Sequence, residues 1–164
     1  MEDIKQPAFR LLTISNSPVV PREDIEAAHF LRKPAQQVTS LQEAEPVIAG
    51  MKAWCELHAQ GIAGLSAPQL GASYRIAFIW YQGLHVVMIN PDVVYQKGSV
   101  LVYEGCLSLP GQRYQVRRPK IAKVQYLDEN WQLHSLKGHD TTAMAIMHEM
   151  DHLDGVLIDL KGKD

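Results

Sequence analysis

The stretch His148-Glu149-Met150-Asp151-His152 constrains this chain more than any other. Successive helical residues turn by about 100°, so His148 and His152 lie on one face, one turn apart. Two imidazoles so placed can point at a single cation. Glu149, one step round the helix, reaches the neighbourhood of that cation without having to ligate it, and in an H-E-x-x-H turn such a glutamate moves protons. The competing account is an amphipathic helix on which two histidines meet by accident, with Glu149 and Asp151 solvated.

The surrounding pattern predicts a helix that begins at Asp140 or Thr141, either of which can cap a first turn, and stops near Asp154-Gly155. Ala143, Met144, Ile146, Met147, Met150 and Leu153 are apolar on more than one side, so this helix is expected to be surrounded by protein. A two-histidine site needs a further protein ligand if one position is to stay open for water. Downstream of His152 the acidic choices are Asp154, Asp159 and Asp164. Upstream, Glu104-Gly105-Cys106-Leu107-Ser108-Leu109-Pro110-Gly111 places a thiol at a strand end, and Cys106 is the preferred third ligand.

The other cysteine, Cys55, falls on a predicted helix from Leu41 to Gln60, capped by Thr39 or Ser40, where Val47, Ile48, Met51, Trp54 and His58 follow a spacing of three and four. Cys55 is therefore expected to pack as a small hydrophobe. Two cysteines in 164 residues are too few for a disulfide scaffold and suit a reducing compartment. A formal net charge of -2 gives no electrostatic reason to expect nucleic acid or an anionic membrane as partner. No apolar run reaches the length of a membrane span, and the acidic start Met1-Glu2-Asp3 resembles neither a secretory signal nor a transit peptide. A cytoplasmic location is expected, or an organellar one if a transit peptide has been removed.

Residues 1–22 read as an irregular arm, with a short helix or turn from Pro21 to Leu31. The glycine-rich run from Gly61 to Gly71 lets backbone approach a ligand or a strand closely. Strands are predicted at Arg75–Trp80, Leu84–Asn90, Val93–Tyr95 and Val100–Tyr103, around Val116, and at Ile121–Leu127 and Gln132–Leu136. Asn90-Pro91 is taken as a break, and Asp128-Glu129-Asn130 as a hairpin turn. The expected architecture is one α+β domain over residues 1–164, with mainly antiparallel sheet around a central helix.

Three motifs, Gly64-Leu65-Ser66-Ala67-Pro68-Gln69, Glu104-Gly105-Cys106-Leu107-Ser108 and His148-Glu149-Met150-Asp151-His152, resemble in order and spacing those of the peptide deformylases. The similarity runs from about Phe30 to Leu160. It implies the fold of that family, antiparallel sheets around a metal-bearing helix, and an enzyme that removes the formyl group from the N-terminal methionine of new polypeptides and releases formate. It further implies that Cys106, His148 and His152 hold a divalent metal, Fe(II) by preference with zinc, nickel or cobalt as substitutes. By the same resemblance a water fills the open position, Glu149 acts as base and then acid, and Gln69 with the Leu107 N–H faces the oxyanion. Gly64 is implied as a backbone contact to the peptide, Arg118 as a substrate-binding arginine, and Met144, Ala145 and His148 as the lining around the methionine. The implied partners are N-formylmethionyl peptides and nascent chains near the ribosome, without direct nucleic-acid or membrane contact.

Some positions depart from the family pattern. Ile62 stands for the first glycine of the first motif, Ser66 for an alanine, and Met147 for the glutamine before the H-E-x-D-H run. The chain ends too soon after Gly155 for a full-length C-terminal helix. Two other readings are an H-E-x-x-H metallopeptidase, disfavoured by the missing downstream ligand, and a non-catalytic binder of formylated termini, which would have no use for Glu149.

Overall fold

The computed structural model describes residues 9–58 and 61–162. Residues 1–8 of the expected arm and residues 59–60 of the expected second helix lie outside the described residues. Two helices come first, α1 (Arg22–Leu31) and α2 (Leu41–His58). Ser40 caps α2, its hydroxyl accepting the Glu43 N–H at 3.2 Å, while Glu43 returns a carboxylate oxygen to the Thr39 N–H at 2.7 Å. This reciprocal pairing satisfies donors that a helix start leaves open.

Beyond α2 come the short strand β1 (Gly64–Ser66), a 3-10 turn at Ala67–Leu70, and strands β2 (Ile76–Tyr81) and β3 (Leu84–Lys97). They are followed by β4 (Val100–Cys106), β5 (Leu109–Arg118), β6 (Ile121–Leu127) and β7 (Leu133–His139), then helices α3 (Thr141–Leu153) and α4 (Ile158–Lys161). A five-stranded antiparallel sheet runs in the order β1-β2-β3-β6-β7, and β4 with β5 forms a separate hairpin. The expected α+β architecture with antiparallel sheet is the one observed.

The sheet is apolar on both faces. Ile76 and Phe78 of β2 join Val47, Met51 and Trp54 of α2 in one core, whereas Ala77 and Ile79 join Ile146, Met150 and Leu153 of α3 in another. Side chains alternate across a strand, so the unbroken run Ile76-Ala77-Phe78-Ile79 is what a strand covered on both sides requires. Each fully buried isoleucine or phenylalanine of this run contributes about 1.5–3 kcal/mol. A third cluster seats Leu31, Leu109, Val116, Leu157 and Ile158 together, tying α1 and α4 to the β4–β5 hairpin. The helix α3 is thereby enclosed between sheet and hairpin, as its apolar circumference predicts.

Two expectations are corrected. Asn90-Pro91 does not end a strand: β3 continues through it with one register shift across Ile89–Asp92 and a second between Val93 and Tyr95, and Asn90 takes a positive φ of 49°. Its side-chain amide holds the bend by bonding both the N–H and the C=O of Val38, each at 2.8 Å. The strand β5, anticipated only near Val116, begins at Leu109 and carries Pro110 and Gly111. Both residues read as turn signals in sequence, yet at the start of a two-stranded hairpin the missing proline donor goes unmissed. The arm is irregular from Phe9 to Val20, but Leu12 N–H donates to Gln69 O at 2.7 Å and Ile14 N–H to Ser108 O at 2.8 Å. It thus braces the loops that carry the first two motifs.

Candidate metal centre

Helix α3 presents His148 and His152 with ring centroids 5.0 Å apart and planes at 66°. The thiol arrives from the far side, where the β4–β5 register shifts between Gly105 and Cys106 at the end of β4. The ligand atoms of Cys106, His148 and His152 lie within 4.8 Å of one another, and Cys106 Sγ is 3.3 Å from His152 Nε2. One thiolate and two imidazoles make a donor set suited to zinc, iron, nickel or cobalt.

The groups behind these donors fit the same purpose. His148 Nδ1 faces Glu104 Oε1 at 2.8 Å, which leaves Nε2 for a cation and fixes the ring. Arg118 donates to both Glu104 oxygens, at 2.7 and 2.8 Å, and to Asp151 Oδ2 at 2.6 Å, while Lys161 closes on Asp151 Oδ1 at 3.1 Å. Burial pushes the Glu104 carboxyl up, but Arg118 and His148 override it and bring it down to about 2. Burial likewise opposes charge on His148, yet the Cys106 sulfur and the Glu104 and Glu149 carboxylates raise it to about 10 in the protein without metal. A proton then sits where a cation's charge belongs.

Glu149 is 2% exposed, and its Oε1 is a buried oxygen without a partner. Burial raises its carboxyl to about 7, against the downward pull of His148 and Arg118. A group titrating near neutrality can both take and return a proton. Gly64 gives it room: a Cβ there would stand 2.9 Å from Glu149 Cγ. Opposite, Gln69 has its Oε1 held by the Ser66 N–H and hydroxyl at 3.0 and 3.1 Å, which turns its amide nitrogen toward Ser108 Oγ, 3.3 Å away, and Cys106. A pocket of about 500 Å³ opens over these groups, with Gly64, Leu107, Met144 and Ala145 among its walls.

The residues singled out in the sequence therefore converge, except Arg118. It is 2% exposed and bound to Glu104 and Asp151, and it is absent from the pocket lining. The expectation that it contacts substrate gives way to one in which it orients Glu104, and through it His148. Ser66, Glu104 and Asp151 hold positions in the site that the sequence alone does not assign. The signal that could have found the last two is their place within the second and third motifs, where Glu104 can partner the His148 imidazole and Asp151 the arginine that holds Glu104.

An H-E-x-x-H helix facing a strand thiol across an open pocket, with a buried carboxylate beside it, defines a metal-dependent hydrolase. The profile of the polypeptide deformylase family matches residues 24–161. A peptide deformylase of Thermoanaerobacter pseudethanolicus is 39% identical over 127 residues, covering 77% of this chain and 79% of the relative. One of Alkaliphilus metalliredigens is 32% identical, covering 92% and 94%. Among solved structures, the Synechococcus elongatus peptide deformylase in complex with actinonin superposes with a TM-score of 0.79 at 31% identity, over 98% of this chain and 83% of that one. The chain belongs to the polypeptide deformylase family. Among the described residues, no helix is long and apolar enough to cross a membrane.

Proposed function

We propose that this enzyme removes the formyl group from N-terminal formyl-methionine of newly made polypeptides, as one catalytic domain, with Fe(II) its working metal. The observation that carries the reading is the unpartnered, buried Glu149 oxygen beside the Cys106, His148 and His152 donors and across the pocket from the Gln69 amide. A divalent cation held by those three donors supplies Lewis acidity and lowers the pKa of water.

The chain's own residues do the rest. Glu149 takes a proton from the attacking water as the new C–O bond forms, then gives it to the nitrogen as the C–N bond breaks, leaving formate and a free amine. The Gln69 amide and the Leu107 N–H donate to the oxygen that becomes negative between these events, and each such donor is worth about 100- to 1,000-fold in rate. Met144 and Ala145 receive the methionine side chain, an adaptable apolar fit.

The peptide lies along β1, which is the edge strand of the sheet. Ala63 O accepts from Trp80 N–H at 2.8 Å, so the next residue, Gly64, turns its own N–H and C=O to the free edge, where an extended peptide can pair with them. Formate release from formyl-Met-Ala-Ser by enzyme loaded with Fe(II) without oxygen tests the reading. New internal peptide fragments in place of formate would replace it with a peptidase.

A further inference from the structure

The two groups that donate to the oxyanion sit on parts of the molecule that share no sheet. Gln69 belongs to the Ala67–Leu70 turn, whose Ala67 and Leu70 are buried in the core beneath α2. Leu107 joins β4 to β5, a hairpin paired with no strand of the five-stranded sheet, and its neighbours Cys106 and Leu109 pack in the third cluster with Leu31 and Ile158. Among the described residues no backbone hydrogen bond runs directly from that turn to the hairpin. The Gln69 amide does reach Ser108 Oγ at 3.3 Å, but this is the side chain whose position has to be set.

The N-terminal arm bridges the two. Leu12 N–H donates to the backbone carbonyl of Gln69 at 2.7 Å, and Ile14 N–H donates to the carbonyl of Ser108, the residue after Leu107, at 2.8 Å. On an extended chain, residues two apart send their N–H groups to one edge at a spacing of about 6.8 Å, so the arm sets the gap between the two loops. Thr13 N–H points the other way and has no hydrogen-bond partner among the described residues. Side chains seat the arm on both cores: Phe9 and Leu11 pack beneath α2, the Phe9 ring directly against Gly50, while Leu12 and Ile14 pack in the third cluster. Gln112 of β5 donates to the Ile14 carbonyl at 3.1 Å, and the buried Asp24 of α1 accepts from Ser15 N–H at 3.1 Å, which pins the register of the arm.

We infer that Leu12 and Ile14 are positioning residues, whose backbone N–H groups hold the Gln69 amide and the Leu107 N–H at the separation that the developing oxyanion requires. This rests on the deformylase reading. Such donors act only within about 2.7–3.1 Å of the place where the negative oxygen forms, and a misplacement of about 1 Å can cost about 100-fold in rate. No described residue of the arm lines the pocket, so the arm touches no part of the bound peptide. Its loss therefore falls on an interaction made in the transition state and is read in kcat more than in KM.

Proline removes a backbone N–H and favours an extended residue before it, so a proline scan of this extended arm separates its hydrogen bonds from its shape. In metal-loaded enzyme, Leu12→Pro and Ile14→Pro should each lower kcat for formate release from formyl-Met-Ala-Ser by about 10- to 100-fold per bound metal, with KM held within about 2-fold. Thr13→Pro, which lies between them and removes an unused N–H, should cost less than about 3-fold. Leu12→Ala, which loses the side chain and keeps the N–H, should resemble Thr13→Pro. If the two proline variants do not fold, Gln112→Leu, which releases the Ile14 carbonyl without altering the arm, should still lower kcat by about 2- to 10-fold. Equal kcat in the three proline variants, an unchanged kcat in Gln112→Leu, or a loss carried by KM overturns the positioning role. Absence of formate from the wild-type enzyme would instead remove the deformylase reading, and the positioning role with it.

Discussion

Ser66 holds Gln69 Oε1 twice, through its backbone N–H at 3.0 Å and its hydroxyl at 3.1 Å. The backbone bond is available to any residue, whereas the hydroxyl bond exists because this chain has serine where the family pattern has alanine. The amide of Gln69 is thereby fixed with its donor side toward the pocket. Ser66→Ala should lower kcat on formyl-Met-Ala-Ser by about 2- to 10-fold, the worth of one neutral hydrogen bond, with little change in KM. Gln69→Ala, which removes the donor itself, should cost about 100- to 1,000-fold. An unchanged kcat in Ser66→Ala would mean that the backbone bond alone suffices.

Metal content separates coordination from proton transfer. Glu149→Gln should retain about one metal per chain by elemental analysis while losing at least roughly 100-fold in turnover. Cys106→Ala should empty the site, because two imidazoles remain of a three-donor set. Cys55 packs against the core formed by α2 and the sheet, so Cys55→Ala should leave the metal in place. Loss of metal from Glu149→Gln would reassign that carboxylate as a ligand.

Arg118 is buried between two carboxylates, and Arg118→Met leaves Glu104 and Asp151 without their main counter-charge. Breaking a buried pair in this way costs about 3–5 kcal/mol, which denaturant unfolding would register. For the folded fraction, KM for the peptide should change little, since Arg118 does not line the pocket. A stable variant with a raised KM would restore the substrate-contact role.

The same cluster sets an acid limit. Glu104 is depressed from its ordinary 4.5 to about 2 in the folded metal-free protein. A carboxylate whose folded pKa is lowered contributes stability that is full above the unfolded value and disappears as pH falls through the folded one. The advantage of wild type over Glu104→Gln in unfolding free energy should therefore be constant from pH 7 to about 5, and shrink between about 4.5 and 2. A difference that stayed flat across that window would mean that Glu104 is not held ionised.

What the sequence made legible is local. His148 and His152 share a helix face by spacing, and Leu41–His58, Ile121–Leu127 and Thr141–Leu153 follow periodicity and caps that neighbouring residues determine. What stayed hidden depends on register between distant segments. Glu104, Arg118 and Asp151 meet because β4 pairs with β5 and the hairpin packs on α3, and nothing near Arg118 in sequence shows that its partners lie 14 and 33 residues away. Asn90 likewise reads as a breaker until the amide bonds to Val38 supply its reason.

The identity of the working metal has its own consequence. One thiolate and two imidazoles accept several divalent ions, so affinity alone does not choose among them. An Fe(II) centre with a sulfur ligand and an open pocket is exposed to oxygen, and Cys106 is only partly buried. Oxidation of that sulfur along the sulfenic–sulfinic series would destroy the donor set irreversibly. Enzyme loaded with Fe(II) should therefore be active when prepared without oxygen and decay in air, while Ni(II) or Co(II) enzyme should hold its activity far longer; the family resemblance, not the ligand set, adds the expectation that Zn(II) enzyme turns over more slowly. One apoprotein batch, reconstituted with each ion and assayed for formate over several hours in air, makes the comparison, and mass spectrometry of the Cys106 peptide reports the oxidation directly. If the zinc form is fastest and the iron form is indifferent to air, Fe(II) is the wrong metal. The proton chemistry of Glu149 would still stand, because it depends on the buried carboxylate and not on which ion the three donors hold.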